Sequence, residues 1–142
     1  MKDQVVLRVI TKLTVPFMII LGAYIITHGE TGPGGGFQGG VIVAAGFILY
    51  GLVYGKPAMH TVLPQRLTDF LAAFGVLLYA GTGVWCMVRG GRFLDYAVLP
   101  GAETGAAEAL GMTLVEYGVG ITVATVMITI YDMISEREDG SA

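Results

Sequence analysis

Four apolar runs, each close to the length of a helix that crosses a hydrocarbon core, limit what this chain can become: roughly Val5 to Ile26, Phe37 to Tyr54, Leu67 to Val88 and Met112 to Ile134. About 20 residues at 1.5 Å each cover the core of a bilayer, and within it a helix satisfies its own backbone donors and acceptors. The chain is therefore expected to be all-α, a polytopic membrane protein with four transmembrane helices. Composition agrees, since 54% of residues are hydrophobic, 13% are charged, and the mean hydropathy is +0.71. So few charges could not cover a soluble domain, and the surplus apolar side chains must face lipid or neighbouring subunits.

The separators have the composition of connections between helices. They are Gly29 to Gly36, then Gly55 to Pro64 with two prolines, then Arg89 to Gly111, which is long enough for a short amphipathic segment around Glu103 to Leu110. Residues 1–142 leave room for one four-helix domain. Lys2, Arg8 and Lys12 before the apolar stretch from Leu13 to Ile26 imitate a signal peptide. Further apolar runs follow and there is no small-residue cleavage pattern, so this stretch is expected to be a retained first helix.

Positive residues near span ends are retained in the cytoplasm. Six of them (Lys2, Arg8, Lys12, Lys56, Arg66 and Arg137) fall on the side of the termini, against Arg89 and Arg92 on the other. Both termini are expected to be cytoplasmic. His28, Glu30, the glycine-rich first loop and the start of the fourth run are then on the outer side, with Asp69, Asp132 and the acidic tail inside. This asymmetry argues against a small exporter that inserts both ways.

Several functions are set aside. A net charge of −3 without a basic run excludes the electrostatic footprint of a nucleic-acid binder. Cys86 stands alone, so it has no disulfide or metal partner and is read as a small buried or lipid-facing hydrophobe. With no Ser-His-Asp set, no His-x-x-x-His, no cysteine pair and no nucleotide fingerprint, no catalytic residue, cofactor or metal is expected.

The segment from His28 to Gly40, His-Gly-Glu-Thr-Gly-Pro-Gly-Gly-Gly-Phe-Gln-Gly-Gly, stands directly before the second span. Two readings of its core (Pro33, Gly34, Gly35, Gly36, Phe37, Gln38, Gly39 and Gly40) remain open. In one it is a tight helix–helix connection whose glycines permit close packing. In the other its backbone and the positive end of the following helix line an ion or water path. A phosphate loop fits poorly, because no Lys-Ser/Thr pair follows the glycines.

Among the charged residues of the spans, Glu116 is the best candidate for handling a proton or cation. It is placed a turn or so inside the fourth run, where a buried carboxylate costs roughly 2.5 kcal/mol or more unless it has a partner or a water path. The plainer alternative is headgroup depth and a hydrogen bond to Tyr117 or His28. His28 could titrate near neutral pH beside Glu30 at the entrance of a path, or simply rest at the interface. Asp69, at the start of the third span, is expected to act in capping.

Gly36-x-x-x-Gly40, Gly51-x-x-x-Gly55, Gly118 and Gly120 predict close helix contacts. Tyr24, Tyr50, Tyr54, Tyr96 and Tyr131 fit an aromatic belt. A single membrane carboxylate falls short of a complete transport relay, so the chain is expected to act with partner subunits.

The stretch from Ile26 to Val41, built on Pro-Gly-Gly-Gly-Phe-Gln-Gly-Gly, resembles the MnhB/MrpB-like small subunits of the Mrp-type multisubunit Na+/H+ antiporters. Val115-Glu-Tyr-Gly-Val-Gly-Ile-Thr-Val-Ala124 looks like the second hallmark of that family. The likeness spans nearly the whole chain. One departure is Glu30, where many members have a second histidine after His28-Gly. The resemblance implies a membrane complex carrying Na+ and H+, in which large subunits related to respiratory complex I move protons and small ones help form the cation-exchange region. Similar subunits occur in membrane-bound hydrogenases and related ferredoxin-driven complexes. A prokaryotic cell membrane is the implied location.

Overall fold

A computed structural model describes residues 5–29, 34–100 and 105–139, the last four by backbone alone. Four long helices carry the apolar runs: α1 (Val5–Thr27), α2 (Gly36–Tyr54), α4 (Gln65–Val88) and α5 (Ala106–Asp139), with a short α3 (Lys56–Val62) between α2 and α4. All four are long and apolar enough to cross a membrane, and α5 qualifies over Ala106–Ser135. Among the described residues there is no strand.

The spans stand in a row, α1 on α2, α2 on α5 and α5 on α4, with α1 touching α5 lightly. Glycines set the spacing, as expected of helices that associate in lipid by close packing. A Cβ on Gly39 would meet the Gly22 carbonyl at 2.5 Å, one on Gly40 the Gly120 carbonyl at 2.6 Å, and one on Gly75 the Gly118 carbonyl at 2.8 Å. These are backbone-to-backbone contacts, which no larger residue allows. Gly51 differs from the expected helix-contact pair with Gly55: it packs under Met59 and Tyr131, while Gly55 (φ 93°) turns the chain from α2 into α3.

Facing pairs reveal a stagger. Going down the bundle, Gly36 lies against Glu116, Gly40 against Gly120 and Gly51 against Tyr131, so α2 and α5 run parallel in one register. Helix α5, however, begins ten residues before Glu116, and α4 continues nine residues past Tyr79, which lies beside Gly118. At 1.5 Å per residue the start of α5 therefore stands about 15 Å above the start of α2. Gly29 and Gly35, on either side of the first connection, lie against the flank of α5 at Glu116.

Three sequence expectations are revised. The connection from Gly55 to Pro64 contains α3, started by Gly55 and Pro57. Helix α5 starts at Ala106, before Met112, so the described part of the expected amphipathic segment belongs to it, while Glu103 lies outside the described residues. Gly111 does not break α5 there, because the Tyr96 ring packs where its side chain would be. Asp69 caps nothing: α4 already begins at Gln65, whose Nε2 donates to Asp69 Oδ1 at 3.1 Å.

Two apolar clusters hold the ends. Ala44, Met59, Ala124 and Ile128 pack near the termini. Cys86, fully buried as a small hydrophobe, joins Leu99 and Ala107 under the turn at Tyr96–Val98. Burial there, with Cys86 and Tyr79 nearby, pushes the Tyr96 phenol above its ordinary value and keeps it neutral.

Candidate functional site

Glu116 is nearly three turns inside α5, deeper along its helix than the expected single turn, and half-buried level with the first residue of α2. Glycines from both described sides of the first connection lie against it. A Cβ on Gly29 would fall on the Glu116 carboxylate, one on Gly35 would lie 2.9 Å from its Oε1, and one on Gly36 would fall on its main-chain carbonyl. The space occupied by the carboxylate exists because two neighbouring residues, Gly29 and Gly35, have no side chain. Gly34, at φ 123°, supplies the left-handed turn that leads the chain into α2. The N-terminal end of α2 therefore lies directly beside Glu116.

The other expected site residues divide. Gly39 and Gly40 face α1 and α5 as packing surfaces. Phe37, 63% exposed, lies beside Thr122 and Val126 of α5, and the exposed Gln38 turns its Oε1 back toward Gly34. His28 is exposed at the end of α1, stacked on Tyr24 with centroids 4.2 Å apart. Its Nδ1 is 2.9 Å from Thr27 Oγ1 and 3.1 Å from the Tyr24 carbonyl. Since Gly29 abuts Glu116, the chain brings His28 to the rim of the same site. Glu30 and Pro33 lie outside the described residues. No cluster of three His, Cys, Asp or Glu able to hold a metal occurs among the described residues.

A second ionic group was missed in the sequence. At the other end of α5, Asp132 is 5% exposed. Its Oδ1 is 3.1 Å from Lys56 Nζ and 2.9 Å from His60 Nε2, and Lys56 also donates to the Asp132 carbonyl at 2.9 Å. Both partners come from α3, which sequence reading took for a turn. The one available signal was the spacing of Lys56 and His60, four apart and so on one helical face. Thr122, Thr125 and Thr129, between the two carboxylates, donate to carbonyls of α5 at 2.7–2.9 Å. Their hydroxyl protons are thus used within the helix.

The family described as "Domain related to MnhB subunit of Na+/H+ antiporter" matches residues 6–129. The chain is 31% identical over 140 residues to the B-type subunit of the Na(+)/H(+) antiporter of Bacillus subtilis (strain 168), covering 96% of each protein. It is 34% identical over 133 residues to "Putative antiporter subunit mnhB2" of Staphylococcus haemolyticus (strain JCSC1435), covering 91% of this chain and 92% of that one. The likeness includes both the glycine-rich loop and the α5 segment around Glu116. The chain belongs to the MnhB family of multisubunit Na+/H+ antiporter subunits.

Proposed function

We propose that this subunit contributes Glu116 to the ion path of the antiporter, with the glycine-rich loop shaping the cavity beside it and His28 and Glu30 at its entrance. The observation that carries the reading is the seating of the Glu116 carboxylate against Gly29 and Gly35, where any side chain would displace it. Irregular backbone below the level of neighbouring spans is tolerated where it is buried in protein or lines a water-filled cavity. The backbone at Gly29 and Gly35, beside Glu116 of α5, fits that description.

The path is completed by other subunits. No Asp, Glu, Lys, Arg or His occurs on α5 between Glu116 and Asp132, sixteen residues apart, nor on α2, nor on α4 beyond Asp69. A stretch of about 24 Å without a charged side chain gives this chain no relay of its own across the bundle. The positive residues favour both termini in the cytoplasm and Glu116 toward the outer side of a prokaryotic cell membrane. The relatives' names favour a stand-alone antiporter as host over a hydrogenase-type complex.

In everted vesicles containing the whole complex, Glu116→Gln is expected to lower Na+-dependent antiport by at least about tenfold, ~1.4 kcal/mol, with assembly on native gels unchanged. Wild-type transport would leave the subunit a packing role. That second reading is favoured by the backbone contacts of Gly39, Gly40 and Gly75, and it predicts that no polar substitution alters transport once the complex has assembled.

A further inference from the structure

The group formed by Asp132, Lys56 and His60 lies about 24 Å along α5 from Glu116, and the path proposed above does not use it. We propose that it is a second proton-binding site, in which His60 takes up and releases a proton while Asp132 holds the imidazole in place.

The chemistry follows from which atoms meet. A carboxylate only accepts hydrogen bonds, so the His60 Nε2 that lies 2.9 Å from Asp132 Oδ1 carries a hydrogen in either charge state. In the neutral ring Nδ1 therefore keeps the lone pair, and the incoming proton binds there. Among the described residues Nδ1 has no hydrogen-bond partner, and the side chain is one-third exposed, so water can reach it. A buried carboxylate that fixes the tautomer of an imidazole, leaving the other ring nitrogen as the base, is the arrangement of a general base.

Charge balance fits the same role. Lys56 offsets Asp132 when His60 is neutral, so proton binding takes these three groups from neutral to a single positive charge. The surrounding elements add Tyr131 on α5 and Tyr50 and Tyr54 on α2. Arg8 of α1 stacks on the Tyr54 ring at 5.2 Å, and Arg66 and Asp69 are at the start of α4. His60 has Asp132 as its ionic partner among the described residues. Imidazole is the side chain whose ordinary charge change falls between pH 5 and 8.

This inference takes its role in transport from the antiport reading but is independent of Glu116, and two measurements keep the failures apart. In the wild-type complex, the rate of deuterium exchange at the His60 ring C2 carbon, followed by mass spectrometry, is expected to change sigmoidally with pH across the range where imidazole titrates. A flat dependence overturns the proposal whatever Glu116 does. In vesicles, His60→Gln preserves an N–H donor to Asp132 but cannot bind the proton. It is expected to leave assembly intact and shift the acidic limb of the antiport pH profile by at least about half a pH unit. A profile superimposable on wild type also overturns it. If the variant fails to assemble, the exchange curve of the wild-type complex decides.

Discussion

Toward each end of α5, though inside it, there is a carboxylate, and the two are held by opposite means. Glu116 is seated where side chains are missing, against Gly29, Gly35 and Gly36. Asp132 is seated where side chains converge, under Lys56 and His60. A carboxylate enclosed by backbone depends on shape, so one added methyl displaces it. A carboxylate held by cations depends on charge, and removing either sign exposes the other to a buried environment. Mutations should therefore separate the two ends by kind as well as by size.

The largest effect is expected from Gly36→Leu, whose Cβ would fall on the main-chain carbonyl of Glu116. Backbone cannot yield as a side chain can, so α2 must separate from α5. The amount of this chain in the assembled complex should fall by more than about tenfold on native gels, consistent with over-packing of several kcal/mol. Normal assembly would break the register assigned to α2 and α5. Asp132→Ala comes next. It leaves Lys56 and His60 facing a largely buried site without that carboxylate, at a cost of about 3 kcal/mol, the low end for a broken buried pair because both cations retain some exposure. A lowered thermal midpoint of the complex is the readout.

Gly29→Ala is a smaller and more selective change. Its Cβ meets the mobile end of Glu116 and not backbone, so the complex should assemble while antiport falls a few-fold through displacement of the carboxylate. Unchanged antiport would mean that the seat has no bearing on transport. The smallest effect belongs to Gly81→Ala on α4, where a Cβ meets nothing within 4 Å. Assembly and transport should remain within about 0.5 kcal/mol of wild type.

The sequence already carried the four spans, because lipid demands about 20 apolar residues per helix and little else competes with that signal. It also carried Glu116 and the glycine loop as separate candidates. Their contact was hidden: nothing in local spacing says that residues 29, 35 and 116 meet, since this depends on the parallel register of α2 and α5. The stagger was hidden for a related reason. Gly111 suggested the end of a connection, yet Tyr96 packs over it and the helix runs through it. Asp132, Lys56 and His60 escaped notice because α3 is only seven residues long and holds two of the three. A turn and a short helix between prolines look alike in composition.

The central claim, that the Glu116 site supplies a carboxylate and not merely a packing surface, is tested most directly by the Na+ concentration dependence of antiport in complexes carrying Glu116→Asp or Glu116→Gln. Each rate is normalised to assembled complex. Aspartate keeps the charge but withdraws it by one methylene, so partial transport with a raised half-saturating Na+ concentration is expected, against near-complete loss with glutamine. If both variants instead transport as wild type does, Glu116 lies outside the ion path and the glycine loop is packing alone.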